Sequence, residues 1–169
     1  MPEGSKRFKG DTLVSTADVF QRAKEYAFLL LKFRQRSEKE IRQRLERKKF
    51  DTAVIKDTLA FLKEKGFLDD RRFAVAWAES RLKKPFGLRR VRQELKIKGI
   101  CGEVIDEVSA EAGARYPEEE VVEAIVRKRL KGFVGEDTVT IKRRLYGYLL
   151  RRGFSSDVAT EAINRLLKQ

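Results

Sequence analysis

The chain has 169 residues, of which 41% are apolar and 38% charged, and it carries a net charge of +13 with no histidine at all. Without histidine, the usual proton carrier near neutral pH, the commonest metal ligand and the usual partner of a catalytic Ser or Cys are all missing, so catalysis is not the expected role. One cysteine, Cys101, permits no internal disulfide and no Cys/His zinc cluster, and its position at a helix entrance is read as incidental.

Three prolines among many Lys, Arg, Glu, Leu and Ala favour helices throughout. Residues 1–18 lack the apolar stretch of a secretory signal and are read as a flexible basic tail. The longest apolar run, Tyr26–Leu31, is far too short to cross a bilayer, so no membrane partner is expected. From Phe20 through Ala23 and Ala27 that run continues in helical register, which predicts a helix over "AKEYAFLLLKF". Ser37-Glu38-Lys39-Glu40 has the form of a capping box and opens a second helix with the stripe Ile41/Leu45. A third starts near Thr52 with Ile55, Leu59 and Leu62 on one face, and Gly66 stops it.

The sequence then repeats this plan. "IRQRLERKKF" (41–50) and "VRQELKIKGI" (91–100) share Arg, Gln, Leu and Lys at four of ten positions, and "LYGYLLRRGF" (145–154) keeps the apolar, Leu, basic, apolar frame. Helices over "RRFAVAWAESRL" and "EEEVVEAIVRKRL" match the first one. All three are apolar nearly all round, which predicts burial on several sides. Second helices follow near Gly87 and Thr138, and third helices near Gly102 and Ser156. Pro117 fits a first helical position ahead of three acids, and Gly66, Gly99 and Gly153 fit left-handed helix ends. The fold class is therefore all-α: an elongated, curved array of three tandem three-helix repeats at 19–69, 70–116 and 117–169. Phe28, Phe33, Phe61, Phe73 and Trp77 fall on apolar stripes and are read as core, while Tyr146 or Tyr148 is a candidate for stacking on a base.

The adjacent Asp69 and Asp70 invite a reading as a metal or catalytic pair. Two neighbours on one helix cannot both point inward, and an aspartate after Gly66 suits the cap of the next helix. Charge is the stronger functional signal. Windows 32–49, 81–98 and 127–152 carry +6, +7 and +7, whereas the remaining 107 residues carry −7. A charge run is ordinarily a solvated surface, but three clusters in register predict a face for a polyanion, with nucleic acid first and an acidic protein second. The candidate contacts are Arg34, Arg36, Arg42 and Arg44; then Arg81, Lys84, Arg89, Arg90, Arg92, Lys96 and Lys98; then Arg143, Arg144, Arg151 and Arg152. Among them Arg89, Arg92 and Lys96 share one face of the central second helix.

Three segments, "KGFLDDRRFAVAWAESR" (65–81), "GLRRVRQELKIKGI" (87–100) and "IKRRLYGYLLRRGFSSDVATEAINRLL" (141–167), resemble the RecX family of bacterial recombination regulators. The likeness spans roughly residues 23–167 and is loosest in the third repeat, where the connector around 131–138 is longer. The resemblance implies a non-enzymatic protein, without cofactors, that lodges in the groove of the RecA–DNA filament. There it limits filament extension, strand exchange, ATP hydrolysis and repressor self-cleavage. Single- or double-stranded DNA is an expected partner, a monomer the expected state and the cytoplasm the expected compartment. The alternatives are a stand-alone nucleic-acid-binding repeat protein with no recombinase partner, and a nuclease in which Asp69 and Asp70 meet a distant acid.

Overall fold

The computed structural model describes residues 15–168. Among them the chain forms nine α-helices and no strand: α1 (Thr16–Phe33), α2 (Glu38–Arg47), α3 (Thr52–Glu64), α4 (Asp70–Leu82), α5 (Leu88–Ile97), α6 (Gly102–Gly113), α7 (Glu118–Leu130), α8 (Thr138–Arg151) and α9 (Ser156–Leu167). They group as three triplets, each with its own core. Ala23, Ala27, Ile41, Leu45, Leu59 and Leu62 fill the first, Phe73, Ala74, Val91, Leu95 and Val108 the second, and Val122, Val126, Leu145, Leu149, Phe154 and Ile163 the third. No buried side chain belongs to two cores, so the array is a row of small units.

Local chemistry sets the boundaries. Ser15, Ser37, Asp69, Asp137 and Ser155 each accept a backbone N–H of the helix they cap. The capping box at Ser37 is only half made: its Oγ accepts from Glu40 N at 3.2 Å, but the Glu40 carboxylate turns to cations instead of reaching back. Helix α1 starts at Thr16, inside the stretch assigned to the tail; residues 1–14 lie outside the described residues. Pro117 is the N-cap of α7, one position before the helix proper. The first helices depart from expectation more strongly. Helix α1 buries only the stripe Ala23/Ala27/Leu30 and leaves Phe33 76% exposed, because among the described residues no helix covers its far side. Phe33 is therefore not core, and Phe28, Phe61 and Trp77 are half-buried.

All three second helices end alike. Amides at positions 50, 100 and 154 bond to Leu45, Leu95 and Leu149 carbonyls, those at 49, 99 and 153 bond to the residues three back, and the chain turns left-handed at Lys49 (φ 61°), Gly99 (83°) and Gly153 (84°). These ends are where repeats meet. Ser37 Oγ donates to the Lys98 carbonyl at 2.8 Å, joining the start of α2 to the end of α5. Gly87 N donates to the Arg152 carbonyl at 3.0 Å, joining the start of α5 to the end of α8. Each joint satisfies polar groups that a helix end leaves over and sets a positive helix start against a negative helix end.

The joints are tight. A Cβ on Gly87 would fall on the Gly153 carbonyl, and one on Gly153 on Arg90. Gly87→Ala is expected to lower stability by about 1–3 kcal/mol through this overlap alone. Lys49→Gly, which relieves a left-handed lysine against which no helix of the described residues is docked, should raise stability by about 1 kcal/mol. Denaturation midpoints of the two variants check both signs.

Candidate functional site

The fifteen basic residues picked from sequence are not all free of internal partners. Acidic side chains take up several of them. Arg34 makes two bonds to Glu40, at 2.9 and 3.1 Å, and Lys98 Nζ reaches the same carboxylate at 2.6 Å from the next repeat. Arg42 pairs with Glu38 at 2.7 Å and Arg144 with Glu136 at 2.6 Å. Arg81 and Arg90 share Glu94, at 2.7 and 2.9 Å, and Arg92 pairs with Asp106 of α6. Arg36 donates to the Leu30 carbonyl and Arg152 to that of Pro85. Arg44, Lys84, Arg89, Lys96, Arg143 and Arg151 make no ion pair among the described residues. Lys98 departs most from its expected place on the binding strip. Its side chain is 16% exposed and lies 4.0 Å from the centre of the Trp77 ring, because it is the cation of the first joint.

Burial raises the Glu40 carboxyl, but bonds from Arg34 and Lys98 outweigh it and hold it at about 2. Glu94 is likewise lifted by burial and brought below its usual value by Arg90, Arg81 and the Trp77 N–H. Burial, and then Arg34 beside it, lowers Arg36. These groups are architecture. The Tyr148 ring is taken up by Arg129 and Arg152, 3.5 and 4.8 Å from its centre, whereas Tyr146 is half-buried with its hydroxyl bonded to Ser156 Oγ at 2.9 Å.

Asp69 and Asp70 have separate structural partners. Asp69 caps α4 through Arg72 N at 2.9 Å, whereas Asp70 Oδ1 accepts from Glu38 N at 2.8 Å and so caps α2 across the first joint. Burial raises the Asp70 carboxyl. Among the described residues no three His, Cys, Asp or Glu side chains converge as metal ligands, and Cys101 is free and exposed at the N-cap of α6.

What the second joint does bring together is a groove of about 500 Å³ lined by Arg89, Arg90, Gln93, Glu94 and Ile97 of α5 and by Leu150, Arg151 and Gly153 at the end of α8. Two of its three guanidiniums, those of Arg89 and Arg151, are unpaired among the described residues and belong to different repeats. Ile97, 66% exposed, gives the groove an apolar wall. The charge count overlooks Gln93, Ile97 and Leu150; the available signal was Ile97, an apolar residue off the Val91/Leu95 stripe. Arg143 lies apart, in a shallower depression with Tyr146 and Asn164.

The same three-triplet plan is found in known proteins. The RecX first three-helix domain matches residues 23–62, the second 69–108 and the third 117–163. The chain belongs to the RecX family. The regulatory protein RecX of Haemophilus influenzae (strain ATCC 51907 / DSM 11121 / KW20 / Rd) is 33% identical over 141 residues, covering 83% of this chain and 91% of the relative. That of Amycolatopsis mediterranei (strain U-32) is 36% identical over 152 residues, covering 89% and 86%. A crystal structure of regulatory protein RecX superposes with a TM-score of 0.80 at 21% identity, over 95% of this chain and 82% of that one. RecX from Lactobacillus salivarius gives 0.76 at 19%, over 90% and 99%. The helical array is thus the RecX fold, and the family is one of regulatory proteins.

The carboxylate at the first joint gives a pH test. Glu40 is held below its unfolded value of 4.5, so its contribution to stability is present above that pH and is lost as pH falls through about 2. Glu40→Gln should cost about 1–3 kcal/mol at pH 7, and the gap from the natural chain should close between pH 4.5 and 2. Urea titrations across that range measure it.

Proposed function

We infer that the chain is a non-enzymatic regulator that binds the RecA–DNA filament and restrains its extension, strand exchange, ATP hydrolysis and stimulation of repressor cleavage. The observation that carries this reading is the α5/α8 groove, where Arg89 and Arg151 from neighbouring repeats stand unpaired among the described residues beside an exposed isoleucine. Guanidiniums without internal partners bind phosphate or carboxylate through paired N–H bonds, and an apolar wall beside them suits a protein–DNA filament better than naked DNA. Arg44 on α2, Lys84 ahead of α5, Lys96 on α5 and Arg143 on α8 add weaker contacts along the array. Spaced contacts on one filament reinforce each other through high effective concentration. Filament binding then falls as salt rises, to the extent that phosphates are neutralised. The working unit is a monomer in the cytoplasm.

The paired cations have another role. Lys98 ties two repeats together through Glu40, whereas Arg34, Arg81 and Arg90 pair within their own repeats, and loss of any of them would act through stability. Arg89→Glu/Arg151→Glu is therefore expected to need at least tenfold more protein to inhibit RecA ATPase and strand exchange, with helix content and denaturation midpoint unchanged. Undiminished inhibition by the double variant would overturn the groove as the contact. Salt-sensitive DNA binding with no effect on RecA at any concentration would favour the stand-alone nucleic-acid-binding reading.

A further inference from the structure

The internal joints have a receiving half and an entering half. The receiving half is the end of a second helix: a cationic cap residue with a free carbonyl, a left-handed residue, and an apolar residue turned into the core. The entering half is the first turn of another second helix. At the first joint Ser37 Oγ bonds the Lys98 carbonyl, Lys39 Nζ reaches the Ile97 carbonyl at 3.0 Å, and Glu40 takes the Lys98 ammonium.

The receiving half occurs a third time. At the end of α2, Lys48, Lys49 and Phe50 repeat the hydrogen bonds of Lys98, Gly99 and Ile100. Lys48 lies over Tyr26 of α1 at 5.4 Å, as Lys98 lies over Trp77 of α4. Among the described residues no helix start is seated here. Instead there is a groove of about 660 Å³ between this end and one stripe of α1, lined by Val19, Arg22, Glu25, Tyr26, Leu29 and Phe50, with Leu29 52% exposed.

We propose that the end of α2 is a docking site for the first turn of a helix in a partner protein, one that begins with a Ser or Thr cap, a glycine at its second helical position and a glutamate at its third. The first joint supplies this pattern. Lys48 stands where Lys98 stands but makes no ion pair among the described residues; Glu25 of α1 lines the same groove but lies beyond ion-pair distance of it, so the entering turn brings the pairing carboxylate, as Glu40 does at the third position of α2. The left-handed residue here is Lys49. A Cβ on its counterpart Gly99 would lie 2.6 and 2.7 Å from the Lys39 Cδ and Cβ, so the second position of the entering turn has room for no side chain.

A second copy of this chain does not fit. Its free helix start, that of α8, has Asp137 as cap, which would set a carboxylate against the Lys48 carbonyl, and Thr140 at the third position. The inference does not depend on the function inferred above, because the site is read from the joint itself.

The test uses the full chain, isotope-labelled, and a peptide of residues 37–47 carrying Lys39→Gly as the probe. Amide signals of Tyr26, Leu29, Lys48, Lys49 and Phe50 should shift at millimolar peptide, and Lys48→Glu should abolish the shifts. The peptide with Lys39 retained should leave the natural chain unmoved but bind a Lys49→Gly variant. The proposal fails if no shifts appear, if they fall elsewhere, or if Lys48→Glu leaves them intact. It fails equally if the same signals move with protein concentration alone, which assigns the end to a second copy, or if they show contacts with residues 1–14, which assigns it to the chain itself.

Discussion

The seating of one helix start on the left-handed end of another holds this array together. A helix leaves amides unsatisfied at its start and carbonyls at its end. Here the leftovers of adjacent repeats meet: Ser37 on the Lys98 carbonyl, Gly87 on that of Arg152. The glycines at 99 and 153 serve two demands, a positive φ and a close approach, and the second excludes any side chain at 153. Between separate small cores, these contacts are what keeps the repeats in register.

The same joints sort the charge. Where a cation falls beside a joint carboxylate, it becomes part of the frame. Glu40 takes Arg34 and Lys98, and Glu94 takes Arg81 and Arg90 along with the Trp77 N–H. Where no carboxylate comes within ion-pair distance among the described residues, as at Arg89 and Arg151, the charge is free for the contact proposed above. Their groove exists only because the start of α5 abuts the end of α8, so the site follows from the way the repeats are joined.

Much of this was legible in the sequence. The recurring Leu, basic, apolar frame located the second helices, and Ser37, Thr52, Gly87, Gly102 and Ser156 marked helix starts within a residue. Such signals are local, set by capping and periodicity. The fate of each charge was not local. Arg92 meets Asp106 fourteen residues on, and Lys98 meets Glu40 in another repeat. Helical periodicity places a side chain on a face but does not say which carboxylate faces it. Phe33 misled for the same reason, since its stripe of α1 is apolar but no helix among the described residues covers it. The sequence did not say which of Asp69 and Asp70 caps α4; Asp69 does, and Asp70 caps α2.

If the joints fix the array, the distance between its ends has one value. Spin labels at Gln43 on α2 and Glu161 on α9, in a chain with Cys101→Ser, report that distance directly. A single narrow distribution that stays narrow in high salt is expected, because hydrogen bonds between helix ends hold the repeats and not surface charge alone. A broad distribution, or one that broadens as salt rises, would contradict it.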